Sequence, residues 1–260
     1  ESTRTVISWP SHFVDLGVWF FTALALHETA ARRLATTLVA LLAALLCKEV
    51  ALVAAVLLPW MPGLGPRERS ERIQWSIATG VLVAAWGATY LWVRHHAGLA
   101  LPHQLESDPA LASTPLAARF TWALVNSARA LFSLPAIRVA QAPVAGIAAA
   151  VIAVAAAAVI AVDARARARA RAALPWTAWG LAWFLGASAT LMTIYPIWAP
   201  NRSGYGSLGF GVLCASALWA GHPLLLAALV ALRLGLFAAS PGPPKTIDAE
   251  PRETGAFMDF

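Results

Sequence analysis

Long apolar runs, rich in Ala, Leu and Val, alternate along the chain with short segments that carry most of its charged residues. Several runs approach the roughly 20 residues that an α-helix needs to cross the hydrocarbon core of a bilayer. A transmembrane β-strand would be about 10 residues long, with apolar and polar positions in alternation. The pattern therefore predicts an all-α protein, a polytopic transmembrane helical bundle. Its predicted membrane helices are residues 11–27, 34–47, 50–60, 75–93, 143–162, 175–198, 205–220 and 222–239.

The longest run, residues 34–60, is interrupted only by Lys48 and Glu49. A charge at the bilayer centre costs about 2.5–3.5 kcal/mol on insertion scales. One long helix could carry the pair at mid-depth, or two short helices could meet in a tight hairpin. Short basic loops favour the cytoplasmic side, and only the hairpin leaves both flanking basic segments there. We therefore predict the short Lys-Glu hairpin; the flanking cations are Arg32, Arg33, Arg67, Arg69 and Arg72.

Residues 117–134 mix apolar side chains with Arg119, Asn126 and Arg129. If this segment crossed the membrane, the Arg/Ala stretch at residues 165–172 would lie outside, against the positive-inside rule. We therefore predict an interfacial or re-entrant helix on the outer face, and a cytoplasmic anchor loop for the Arg/Ala stretch. Residues 1–239 form the predicted membrane domain, with an outer loop after His96, and residues 240–260 are a predicted disordered polar tail.

Composition supports a membrane location. Of the residues, 59% are hydrophobic and 12% are charged, whereas a soluble domain is about a quarter charged. Cys47 and Cys214 both lie in apolar runs, so neither indicates a disulfide or a metal site. The sequence holds no Gly-rich phosphate loop, nucleophile elbow or HExxH pattern. The bias toward Ala and Arg is typical of a high-GC bacterial genome, which predicts a bacterial plasma (inner) membrane location.

Polar residues outside the anchoring segments collect on the predicted outer side. Arg presents a planar fork to phosphate oxygens and Lys a compact point charge, so this set predicts recognition of a lipid-linked phosphate. Three plainer interpretations stay open: Lys48 and Glu49 neutralise each other, Arg94 is an interfacial anchor, and His95 and His96 are solvated rather than metal-binding. The full set is Lys48, Glu49, Arg94, His95, His96, Arg119, Arg129, Arg202 and Tyr205.

Four short motifs occur in an order that resembles the GT-C superfamily of membrane glycosyltransferases, and within it the protein O-mannosyltransferase-like group of bacteria and eukaryotes, many of whose members carry TPR repeats. The late motif departs from the family's Arg-Tyr-Leu-Tyr pattern and lacks its proline, and Cys47 replaces the usual Ser. The motifs are Val6-Ile7-Ser8-Trp9 with Asp15-Leu16, Leu45-Leu46-Cys47-Lys48-Glu49-Val50-Ala51 with Pro59, Tyr90-Leu91-Trp92-Val93-Arg94, and Asn201-Arg202-Ser203-Gly204-Tyr205-Gly206-Ser207-Leu208-Gly209-Phe210.

The resemblance implies an extracytoplasmic cavity and transfer of a sugar from a polyprenyl-phosphate donor to a protein or glycan acceptor, with no nucleic-acid partner. It implies that Lys48 and Arg202 bind the donor phosphate. Glu49, Arg94 and Tyr205 would shape the cavity, where His95 is a further candidate.

The family's catalytic Asp would precede Glu1, so the catalytic residue is unknown here, and we expect a chain that is N-terminally truncated. No protein metal site is predicted, although a divalent metal could assist the transfer. Two other functions remain open. One is a transporter or flippase for a lipid-linked or anionic substrate; the other is a non-catalytic membrane subunit of the same fold.

Overall fold

The computed structural model describes residues 13–97, 114–132, 142–194 and 200–239, and within these ranges every regular element is helical, which confirms the predicted all-α class. We number the α-helices in chain order, and short 3₁₀ helices at Glu49–Ala51, Leu58–Trp60, Leu191–Ile194 and Pro200–Ser203 join or extend them. The α-helices are α1 Phe13–Ala30, α2 Leu34–Cys47, α3 Leu52–Leu57, α4 Arg69–His96, α5 Leu116–Leu131, α6 Ala142–Val162, α7 Ala164–Thr190, α8 Gly204–Gly221 and α9 Pro223–Ala239.

The long apolar run does break at the charged pair. Helix α2 ends at Cys47, and Lys48 adopts an extended backbone with φ −162° and ψ 138° before the next 3₁₀ turn. The two ends of the run return to the same side of the bundle, because Arg32 before it donates to the Glu71 carboxylate after it at 2.5 Å. The run therefore folds back on itself at the charged pair, while the location of its two halves in a membrane stays a prediction.

Helices α7 and α8 pack closely against each other, because glycines face each other across the contact. A Cβ built at Gly180 would lie 2.7 Å from the carbonyl oxygen of Gly209, and one at Gly209 would lie 2.6 Å from that of Gly180. Buried Trp179 on α7 donates its indole N–H to the carbonyl of Leu57 at 2.9 Å. This bond ties the α7–α8 pair to the hairpin segment.

The prediction of a loop at the Arg/Ala stretch is wrong, because these residues form the first turns of α7. The Asp163 carboxylate caps the helix by accepting from the backbone N–H groups of Arg165 at 2.9 Å and Ala166 at 3.1 Å. Ala and Arg are also strong helix formers, so capping and propensity favour the same structure. The Arg169 guanidinium donates to the last carbonyls of α8, those of Ala220 at 3.1 Å and Gly221 at 2.9 Å.

The segment predicted as an interfacial helix is helix α5. It buries Ala123, Ser127 and Ala130 on one stripe and packs against α7, α8 and the 3₁₀ helices at residues 191–194 and 200–203. Its position at the outer face of a membrane stays a prediction. The predicted tail, residues 240–260, and most of the predicted outer loop after His96 lie outside the described residues.

Two described helices, Arg69–His96 and Val144–Val162, are long and apolar enough to cross a membrane. By length and composition they are a weak indication that the protein associates with a membrane. The other apolar helices that meet the same hydropathy criterion are shorter, at Leu34–Cys47, Glu49–Trp60 and Pro223–Ala238.

We expect Gly209→Ala to destabilise the fold by about 1–3 kcal/mol, because the new Cβ would overlap the α7 backbone. The matched control is Gly211→Ala on the same helix, where a Cβ meets nothing within 4 Å. Replacing this open helical glycine should stabilise the protein by up to about 1 kcal/mol. Unfolding in a denaturing detergent measures both effects, and equal effects of the two substitutions would contradict the close contact.

The α7 cap predicts a dependence of stability on pH. The donated N–H of Arg165 holds the pKa of the Asp163 carboxyl below its ordinary value of 3.8. A carboxyl whose pKa is lowered in the folded state stabilises the fold above its unfolded pKa, and this contribution disappears as the pH falls through the folded pKa. Asp163→Asn keeps a good N-cap but does not titrate. The variant should lose less stability than the parent protein below pH 3.8, as measured by acid unfolding; an unchanged pH profile would contradict this role.

Candidate functional site

Lys48 and Asp15 form an ion pair at the break between α2 and the 3₁₀ turn. The Lys48 ammonium donates to an Asp15 carboxylate oxygen, and the side chains are 27% and 6% exposed. Glu49, the neighbour in sequence, is exposed. The alternative in which Lys48 and Glu49 neutralise each other is therefore wrong. Adjacent residues at a helix break project in different directions, and Lys48 finds its partner on the neighbouring helix.

Helix α1 approaches the end of α2 closely, which brings the side chains of Asp15 and Lys48 within ion-pair distance. A Cβ at Gly17 would lie 2.7 Å from Sγ of Cys47, so only glycine fits at this position without a shift. The contact brings the first turns of α1 beside the last residue of α2. Lys48 follows immediately and, because its backbone is extended, its side chain turns toward Asp15.

A stripe on α1 leads from the ion pair to Tyr205. Asp15, Trp19 and Thr22 are spaced by four and three residues and so share one face of the helix. The Thr22 hydroxyl lies 3.0 Å from the Tyr205 hydroxyl in a buried hydrogen bond. Gly204 packs directly on the Trp19 ring, without room for a Cβ.

The Tyr205 side chain is held on two sides. Its ring stacks on Trp183 with centroids 5.4 Å apart and an interplanar angle of 30°. The Trp183 indole N–H donates to the Tyr205 carbonyl at 3.1 Å. Tyr205 is 5% exposed, so it is a rigid wall of the site rather than a mobile gate.

Arg202 lies at the same end of the bundle as the ion pair. It is in the 3₁₀ helix Pro200–Ser203, is partly exposed, and precedes by two residues the glycine that packs on Trp19. Lys48 and Tyr205 thus both contact α1, through Asp15 and Thr22, and Arg202 precedes by two residues the glycine that packs on Trp19.

Arg94 and His95 are placed farther away. The last α4 side chain that packs against the hydrophobic core is Trp86. Arg94 follows eight residues later, roughly 12 Å along the helix at 1.5 Å per residue. His95 is exposed and its ring contacts His96, whose Nδ1 lies 2.9 Å from the Trp92 carbonyl oxygen of the same helix. Arg94 and His95 therefore lie about two helical turns beyond the part of α4 that packs against the core.

A cavity of about 770 Å³ begins where Trp19, Thr22 and Tyr205 meet and continues between α1, α5, α8 and α9. Most of its wall is apolar, and Arg233 on α9 is the cation that lines it. Among the described residues, no group of three or more His, Cys, Asp or Glu side chains is arranged to hold a metal ion.

Asp15, Trp19, Thr22 and Trp183 were not among the candidates from the sequence. Asp15 did carry a signal, since it is the only acidic residue in the apolar run 11–27. An ionisable residue within such a run points to a functional or paired position. The two tryptophans and Thr22 resemble the many other aromatic and small polar residues of the apolar helices, so only the fold distinguishes them.

We expect Lys48→Ala to destabilise the protein by about 3–5 kcal/mol, because it removes the Lys48 ammonium from the buried Asp15 carboxylate. The double variant Asp15→Asn, Lys48→Met removes both charges and should recover most of that loss. Detergent unfolding of the parent, the single variant and the double variant measures the effect. If the double variant were as unstable as Lys48→Ala, the ion pair would not be the cause.

Comparison of the chain with protein-family models, with curated proteins and with solved structures finds no match.

Proposed function

We propose that the protein is a multi-pass membrane protein whose eight predicted membrane helices include the hairpin at Lys48. Exposure of the apolar helices supports this proposal. In the most apolar windows of Arg69–His96 and Val144–Val162, only 6% and 11% of the residues are buried inside the protein. A core helix of a soluble protein would be mostly buried. Large exposed apolar surfaces on long helices are instead what lipid chains cover.

The charge distribution supports an orientation in the plasma membrane. Arg32 and Glu71 mark the end of the bundle opposite the turn at Lys48, where the two arms of the hairpin begin and end. The basic start of α7 lies toward the same end, because Trp179 further along α7 bonds to Leu57. Short basic segments favour the cytoplasm. The ion pair of Lys48 with Asp15, at the opposite end of α1 and α2, is then on the extracytoplasmic side.

On this orientation we propose a glycosyltransferase that takes its sugar from a polyprenyl-phosphate donor and delivers it to an extracytoplasmic acceptor. The carrying observation is the Lys48 side chain, anchored by Asp15 at a helix break and still 27% exposed. A cation fixed in place but open on one side is suited to a phosphate at the membrane surface. Arg202, at the same end, adds a planar fork of donors for a second phosphate oxygen.

The proposed chemistry uses these cations for electrostatic stabilisation. The acceptor hydroxyl oxygen attacks the anomeric carbon, the bond from that carbon to the phosphate oxygen breaks, and polyprenyl phosphate leaves with the bonding electron pair. The hydroxyl proton passes to a base, to which we assign no residue. Because the leaving phosphate gains negative charge, Lys48 and Arg202 bind the transition state more strongly than the bound donor.

A second candidate function is transport of a lipid-linked anionic substrate. The helix break at Lys48 favours it, because discontinuous helices with a charged residue at the break form the binding sites of many transporters. Transport and transfer differ in their product: transport leaves the donor intact on the other leaflet, whereas transfer releases free polyprenyl phosphate.

We expect the protein, reconstituted in bilayers, to release polyprenyl phosphate from a polyprenyl-phosphate sugar. Arg202→Ala and the charge-free pair Asp15→Asn, Lys48→Met should each lower the release by at least about tenfold, since each removes one phosphate-stabilising cation. The matched control is Arg171→Ala, which removes an exposed cation from the basic first turns of α7, away from the proposed site. This variant should leave the rate unchanged. Detection of the released phosphate across several sugars measures the activity.

Loss of release in the control as well as in the site variants would contradict the assignment of the site. If the folded protein instead moved a fluorescent polyprenyl-phosphate sugar between leaflets without releasing it, the transport function would replace the transferase.

A further inference from the structure

The cavity between α1, α5, α8 and α9 has a polar end and an apolar end. Helices α8 and α9 are joined at His222 and run antiparallel, so α9 extends toward the end of the bundle where α8 begins. Tyr205 and Ser207 line the cavity at that end. Arg233 is as many residues after His222 as Gly211 is before it, and its guanidinium is turned toward Phe237 and thus toward the same end. The wall at the other end consists of side chains such as Leu226, Leu229 and Ala215.

Arg233 is the only charged residue of α9, whose sequence is otherwise apolar. Its guanidinium carbon lies 5.8 Å from the centroid of the Phe237 ring, one helical turn further on. A cation in the middle of an apolar helix is costly, and in membrane helices such residues face cavities and bind ions or substrates. Arg233 does line the cavity.

The dimensions suit one lipid chain. The lining residues of α8 extend from Gly204 to Ala215, which is roughly 16 Å at 1.5 Å per residue. The volume of about 770 Å³ falls within the range of pockets that bind small ligands. A space of this length, with a cation and polar side chains in one half and aliphatic walls in the other, is complementary to an amphiphile.

We propose that this cavity binds a membrane lipid with a single apolar chain and an anionic headgroup, a phosphate or a carboxylate. The headgroup contacts the Arg233 guanidinium, which is turned toward Phe237, and the chain extends toward Leu226 and Leu229. Charge complementarity identifies the headgroup, and the aliphatic wall identifies the chain. The cavity shares Trp19, Thr22 and Tyr205 with the candidate donor site. Because Arg233 is distinct from Lys48 and Arg202, its variants test lipid binding separately from the proposed glycosyl transfer.

Two glycines allow a matched pair of variants. A Cβ at Gly211 meets nothing within 4 Å, and Gly211 lines the cavity, so Gly211→Phe places a ring in its space. Gly235 on α9 is equally open but is not among the lining residues, so Gly235→Phe adds the same side chain elsewhere. Arg233→Gln removes the charge, and Arg233→Lys keeps it.

The test uses dodecyl phosphate with a photoreactive diazirine on its chain, added to the purified protein in nanodiscs of phosphatidylcholine. We expect light to attach the probe to peptides of α8 and α9, as located by mass spectrometry. Gly211→Phe and Arg233→Gln should lower this labelling by about tenfold, whereas Gly235→Phe and Arg233→Lys should retain most of it.

Competition in the parent protein needs no variant and therefore no assumption about folding. Unlabelled dodecyl phosphate should displace the probe, and a neutral dodecyl glycoside should not. Displacement by dodecanoate as well would extend the site to carboxylates, and displacement by dodecyl phosphate alone would restrict it to phosphates. Equal competition by the neutral glycoside, or equal labelling of Gly211→Phe and Gly235→Phe, would overturn the proposal.

Discussion

An ionic group inside an apolar helical bundle must find a partner, and the pairing of Lys48 with Asp15 meets this requirement. An unpaired carboxylate in such surroundings would cost several kcal/mol, so the register of α1 against α2 is constrained to bring the two residues together. That register also sets Gly17 against Cys47, where a side chain would clash. One electrostatic constraint and one steric constraint thus specify the same alignment of the two helices.

The alignment determines what the rest of α1 presents to the bundle. With Asp15 at the helix break, Trp19 and Thr22 follow on the same face and receive Gly204 and Tyr205. Tyr205 is in turn fixed by Trp183 on α7, which packs closely on α8 through Gly180 and Gly209. The candidate site is consequently supported by residues from four separated parts of the chain, and the adjoining cavity opens along the surface that they form.

Much of the fold was predictable because apolar runs and helix breaks are local features. The break at Lys48, the return of the hairpin and helix α5 all follow from charge placed in or beside apolar runs. The Arg/Ala stretch shows the limit of this reasoning. A loop was expected from its charge alone, yet Asp163 supplies an N-cap and the residues themselves favour a helix. The N-cap at Asp163 and the helix propensity of Ala and Arg therefore determine the structure of this stretch, which the positive-inside rule could not predict.

By itself, the sequence determined the helical class, the position of the hairpin break and the candidate cations Lys48 and Arg202. These three features follow from hydropathy, from charges close together in the sequence and from the order of the motifs. None of them requires knowledge of contacts between distant residues. Only the tertiary structure decided that Lys48 pairs with Asp15 rather than with Glu49, that Arg94 and His95 lie beyond the part of α4 that packs on the core, and that Arg233 lines a cavity. The reason is that ion pairs and cavity walls join residues far apart in sequence, and their partners are chosen by helix register and packing.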